Sequence, residues 1–200
     1  MKTQAGCLAF ALMLCSAASG QPTGGTWELS LSGAAGSIGG TSEWSGTYGS
    51  GSSDQDAQSF LTLLFRPGLY IVDGLSIEPE FHWTAIEDAP PALSLSGNLA
   101  YTFRAPASTV APFVLVGYGV ANTVPVLDRA LFRLSKDMDI SVLNVGAGLK
   151  LFLSESVAMR VEYRYQTYRQ ENTDSYGPFT ETYKQTYRLH NVFFGFSVFL

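Results

Sequence analysis

The sequence predicts an all-β chain, an eight-stranded antiparallel up-and-down transmembrane barrel with short turns at one end and long loops at the other. Three observations predict it. Apolar residues recur with period two in eight separate segments, the connections between those segments alternate between short and long, and the composition is rich in aromatics and glycine but poor in charge. Of 200 residues, 46% are hydrophobic, 13% aromatic and only 14% charged, with 20 glycines. An average soluble domain carries about 25% charged residues. The net charge of −5 and only 12 Lys+Arg leave no basic footprint, so no nucleic-acid partner is expected. The aromatic content excludes a disordered chain.

The first element is MKTQAGCLAFALMLCSAASG. Lys2 gives a basic start, Cys7 to Cys15 form an apolar run, and small residues follow. This is the pattern of a secretory signal peptide over residues 1–20, with cleavage after Ala18 or after Gly20. The apolar run is far shorter than the roughly 20 residues that a spanning helix needs. A lipidated start at Cys15 would need a small residue before it, and Leu14 stands there instead. Both cysteines lie in this leader, so the domain at 21–200 has none to form disulfides.

Side chains alternate between the two faces of a strand. In Thr26–Ala35, Trp27, Leu29 and Leu31 oppose Glu28, Ser30 and Ser32. In Ser59–Val72, Leu61, Leu63, Phe65, Leu69 and Ile71 oppose Thr62, Arg66 and Gly68. In Leu75–Ala85, Ile77, Phe81 and Trp83 oppose Glu78, Glu80 and His82, and in Leu93–Arg104, Leu95, Leu99 and Tyr101 oppose Ser96, Asn98 and Thr102. Val110–Ala121 is strand-like, but its two faces are not distinguished. Ile140–Leu153 sets Leu143, Val145 and Leu149 against Asn144, Gly146, Gly148 and Lys150. Val157–Thr167 sets Met159, Val161, Tyr163 and Tyr165 against Arg160, Glu162, Arg164 and Gln166. His190–Leu200 sets Val192, Phe194, Phe196 and Val198 against Asn191, Gly195 and Ser197. Each run is near the roughly 9–11 residues of a tilted membrane strand.

Short links at Asp73-Gly74, Ala105–Thr109 and Ser154–Ser156 alternate with long polar links at about 36–58, 86–92, 122–139 and 168–189. An up-and-down barrel collects the short ones at one end, with both termini, and the long ones at the other. The apolar face is expected to point outward to lipid and the polar face inward. Aromatics lie near strand ends (Trp27, Trp83, Tyr101, Phe103, Tyr163, Tyr165, Phe199), where they suit bilayer interfaces. Glycines 68, 146, 148 and 195 fall on the polar face, where they would make room in a narrow lumen.

Arg66-Pro67-Gly68, the run from Asp73 to Glu80, Val145-Gly146-Ala147-Gly148-Leu149-Lys150 and the closing strand ending Phe199-Leu200 carry a resemblance. Over about 22–200 the chain resembles the eight-stranded outer-membrane barrels of the OmpA/OmpX type. The last residue is Leu200 where such proteins usually have Phe. The resemblance implies a bacterial outer-membrane location, contact with outer-membrane lipid and lipopolysaccharide, and recognition of the closing strand by the barrel assembly machinery.

Inward polar faces would place Glu28, Glu78, Glu80 and Glu162 in the lumen with Arg66, Lys150, Arg160 and Arg164, four acids against four bases, and His82 beside them. Charges removed from water must be paired, and an eight-stranded barrel is only wide enough for side chains to fill. The cluster therefore predicts a salt-bridged plug, with Arg66 meeting Glu80 or Glu78 and Lys150 meeting Glu162. Arg66 and the even-numbered glutamates share a face only if the hairpin at Asp73-Gly74 contains a bulge or a three-residue loop. Glu78-x-Glu80-x-His82 is too small a ligand set for a metal centre. His190 in Leu189-His190-Asn191-Val192 has no accompanying nucleophile and orienting group. No catalytic residue, cofactor or metal is expected. The expected role is non-enzymatic, in envelope structure or in contact with a surface ligand through the long loops. The alternatives are a small porin-like channel and a lipid-modifying enzyme.

Overall fold

The computed structural model describes residues 22–46, 49–86, 89–103, 108–122, 140–176 and 179–200, with side chains at 37–49, 53–59, 86–90 and 172–185 outside the description. The signal segment 1–20, most of the Ala105–Thr109 turn and nearly all of the 122–139 connection lie outside the described residues. Every regular element described is a strand: β1 (Trp27–Gly46), β2 (Gly49–Val72), β3 (Leu75–Ile86), β4 (Ala89–Thr102), β5 (Val110–Ala121), β6 (Ile140–Ser154), β7 (Val157–Tyr176) and β8 (Phe179–Phe199). They pair in chain order, each antiparallel to the next, and β8 returns to β1 to close the barrel. At the seam Trp27 and Leu200 exchange backbone hydrogen bonds of 3.1 and 2.9 Å.

The faces are inverted relative to a soluble barrel. Leu31 is 62% exposed and Phe194 61%, whereas Arg66 and Glu80 are each 1% exposed. The outer face is a continuous apolar band. From Leu61 to Ile71, at about 3.4 Å per residue and a tilt of about 40°, the band spans roughly 25 Å, the height of a barrel's lipid-facing belt.

The hairpin at Asp73-Gly74 has a two-residue turn and a bulge. Pairing runs Leu69 with Ile77 and Tyr70 with Ser76, then shifts so that Val72 pairs with Leu75. The extra residue, Ile71, turns outward with Val72, and Gly74 takes φ +80°, a left-handed conformation that glycine adopts without strain. The parity mismatch is absorbed there, so Arg66, Glu78 and Glu80 all face inward. The β6–β7 hairpin uses the same device, with a shift between Phe152 and Ser154 ahead of its two-residue turn.

Three of the four long polar links are largely strand. β1 and β2 stay paired to Gly46 and Gly49, β7 and β8 to Tyr176 and Phe179, and β1 and β8 to Ser45 and Thr182. β3 and β4 close sooner, with Ile86 against Ala89. Among the described residues, the strands β7-β8-β1-β2 thus rise as a wall above β3-β4-β5-β6. Polar, Gly/Ser-rich composition suggests loop, but outside a membrane a strand needs no apolar face, and the backbone ladder alone extends the hairpin.

β5 owes its indistinct pattern to being apolar on both sides. Ala111, Phe113, Leu115 and Ala121 are buried inside while Val114, Val116 and Tyr118 face out. Among the expected girdle residues Trp27, Trp83, Tyr101, Phe103 and Tyr163 are exposed on the outer face. Phe199 is not. Its odd number puts it on the inner face of β8, 7% exposed, with its ring 5.5 Å from that of Phe152.

Candidate functional site: the closed lumen

All nine expected lumen residues, Glu28, Arg66, Glu78, Glu80, His82, Lys150, Arg160, Glu162 and Arg164, are at most 2% exposed and point inward. β3 supplies Glu78, Glu80 and His82 at every second position, and β7 supplies Arg160, Glu162 and Arg164 in the same spacing. In a ring of eight, strands three and seven stand opposite one another. An acidic strand therefore faces a mainly basic one across the lumen, and the charges interleave.

At the turn end, Glu28 accepts from Lys150 Nζ at 2.5 Å, Ser197 Oγ at 2.6 Å and the Tyr70 hydroxyl at 3.0 Å. Arg160 links this group to the next, lying 3.5 Å from Glu28, 3.1 Å from Glu78 and 3.0 Å from Glu162. Arg66 Nε donates to Glu80 at 2.7 Å, and the same guanidinium lies 3.5 Å from Glu78 and 3.3 Å from Glu162. Arg164 donates to Glu162 at 2.6 Å and Glu80 at 3.0 Å, and His82 Nε2 pairs with Glu80. Each carboxylate meets at least two cations. That is the condition under which buried charges can offset their desolvation, which costs several kcal/mol per ion.

Arg66 pairs as expected. Lys150 does not: it binds Glu28 and the Tyr70 hydroxyl (2.7 Å), not Glu162. The register sets Lys150 opposite Arg160 and leaves Glu162 opposite Gly148. Glu162 is already shared by the three arginines, while the ammonium extends across the lumen to the β1 carboxylate. The inner glycines make the room. A Cβ on Gly148 would sit 2.7 Å from the Phe113 ring, and that ring carries the Arg160 guanidinium at 4.1 Å from its centroid.

A second network was missed. Asn191 donates to Gln166 at 2.6 Å, Gln166 to Asn144 at 2.8 Å, Asn144 to Asn98 at 3.3 Å, and Asn98 to the Glu78 carbonyl at 3.3 Å. The belt crosses β5 at Gly117, where a Cβ would lie 1.8 Å from Asn98 Oδ1. Alternation turned these amides inward, but only the register brings them to one depth.

Apolar side chains close both ends. Tyr70, Ala111, Phe152, Ala158 and Phe199 form a floor at the turn end, and Phe60, Ala121, Ile140, Val142, Tyr168, Tyr187 and Leu189 form a ceiling at the other. The lumen is thus a stack of apolar floor, ion-pair core, amide belt and apolar ceiling. Such a stack stabilises a closed barrel.

No curated protein matches the sequence. Among solved structures, Neisserial surface protein A superposes with a TM-score of 0.55 at 14% identity, over 89% of this chain and 99% of that one. The outer membrane protein AlkL, solved in lipid bilayers, superposes with a TM-score of 0.53 at 17% identity, over 92% of this chain and 94% of that one. At these identities the likeness is one of fold. The profile of the outer membrane protein beta-barrel domain matches residues 6–198. The family points to the bacterial outer membrane, and the chain belongs to the outer membrane protein beta-barrel family.

Proposed function

We propose that the chain is exported on residues 1–20, is recognised through β8 by the barrel assembly machinery, and stands in the outer membrane with its turn end in the periplasm. There it acts without catalysis, as an envelope component and a contact surface. The single observation that carries this reading is the wall β7-β8-β1-β2. Its backbone pairing continues well past the rim, from Ile38 and Gln58 to Gly46 and Gly49 in one hairpin. Beyond Phe60, where pairing with β3 stops, one side of β2 has no strand partner among the described residues. Beyond Ser141 the same holds for β7. Such edges offer main-chain donors and acceptors to an extended segment of a partner. The closed lumen supports a barrel that serves through its surface and weighs against the channel reading.

The experiment is complementation of a deletion strain with the full chain or with a chain whose two raised hairpins are trimmed to the rim. Trimmed protein is expected to insert and to keep its heat-resistant mobility on gels, yet to lose surface adhesion. Adhesion equal to that of the full chain would contradict the reading.

A further inference from the structure

Most of the charge whose side chains are described lies in the lumen. The rest divides between the ends. Asp73 and Glu155 flank the turns, while Arg169 and Glu171 of β7 and Arg188 of β8 lie on the outer face at the base of the wall. Arg188 pairs with Thr167 and Arg169 with Thr186, so the two arginines are diagonal neighbours on one face. Thr167 lies between them. It pairs with outward-facing Leu143, which is 44% exposed, but is itself only 6% exposed. One step closer to the apolar band, the Tyr163 hydroxyl is 2.7 Å from His190 Nδ1, and the Tyr165 ring centroid is 5.1 Å from that of His190. One step further out, Lys184 stands between Glu171 of β7 and Glu43 of β1 in the register, so that rung carries a formal charge of −1, while the arginine rung carries two positive charges and no acid.

We propose that Arg169 and Arg188, with His190, Tyr163 and Tyr165 beneath them, bind the phosphate of a phosphorylated glycolipid in the outer leaflet. The site lies where the apolar band gives way to polar surface, the depth at which a lipid's phosphate meets its acyl chains. Guanidinium forks match phosphate oxygens in geometry and charge, and aromatic rings with a polar edge settle at that boundary. The placement rests on the reading that the wall faces outward.

The test titrates the chain from residue 21, refolded in detergent, with lipid A bearing its phosphates and with the same lipid A after phosphatase treatment, counting bound lipid by native mass spectrometry. Each arginine–phosphate contact is expected to contribute about tenfold. The phosphorylated lipid should therefore bind about a hundredfold more tightly, and Arg169→Gln with Arg188→Gln should abolish the difference while gel mobility confirms folding. Equal binding of the two lipids overturns the site without need of a variant, as does wild-type selectivity in the double variant. Displacement by inorganic phosphate at the lipid's own concentration would assign the site to free phosphate and overturn the glycolipid. Orientation is read separately, by labelling Ser45→Cys on intact cells with an impermeant reagent. Failure to label contradicts the outward reading but leaves phosphate selectivity in detergent to stand or fall by itself.

Discussion

Arg66 touches three carboxylates, and its Nε bond to Glu80 at 2.7 Å is the shortest of those contacts. Removing one partner of a buried pair typically costs about 3–5 kcal/mol, because the other charge loses its compensation. Glu80 keeps Arg164 and His82 when Arg66 is lost, so Arg66→Ala should fall near the lower end of that range. A double-mutant cycle of Arg66→Ala and Glu80→Ala, followed by urea unfolding in lipid vesicles, should give a coupling of about 1 kcal/mol or more, with the double variant losing less than the sum. Additive losses would mean that the two side chains are energetically independent. The charges themselves were legible from alternation, since a Glu or Arg at every second position of an otherwise apolar run has to turn inward. Their partners were legible only in part. Arg66 and Glu80 lie close to one hairpin, whose parity fixes the pair. Lys150 finds Glu28 across 122 residues of sequence, a contact set by barrel closure and by the Arg160 that the register places opposite it.

The bulge at Ile71 matters at the scale of the hairpin. It adds one residue between a ladder that places Tyr70 opposite Ser76 and a turn that places Val72 opposite Leu75. Deleting Ile71 leaves both pairs in regular succession, so the deletion should refold to the same heat-resistant form. Deleting Leu63 from the middle of β2 shifts the residues on one side of the cut by one position and exchanges their faces. That chain should not reach the heat-resistant form. The measurement is gel mobility before and after heating, and equal behaviour of the two deletions would contradict the register. The same reasoning explains which strand ends could be read. β5 matched its expected bounds although its faces could not be told apart. β1, β2, β7 and β8 all ran past theirs, because the signal used was an apolar outer face. That signal stops where lipid stops, while the backbone ladder does not. Phe199 differs from the girdle residues for a related reason: its chemistry suits a bilayer interface, but its parity turns it inward.

Across the whole molecule, the inner surface forms layers. Apolar floor and ceiling enclose a core of ion pairs and amides interleaved with two smaller apolar clusters, one around Leu64 and Phe193 and one around Phe113 and Leu115, so the interior is filled by side chains, as expected of eight strands. No single strand announces this closure. The ceiling draws on β2, β5, β6, β7 and β8, and its members share a depth only after the register is known. A barrel filled in this way is closed to solutes, in keeping with the proposal that it works through its outer and raised surfaces. Single-channel recording on the refolded chain in planar bilayers tests it most directly. The sealed stack predicts no steady unitary conductance at moderate voltage in about 1 M salt, where charge–charge interactions at the surface are screened but buried pairs much less so. A steady, large unitary conductance in the wild-type chain would contradict it.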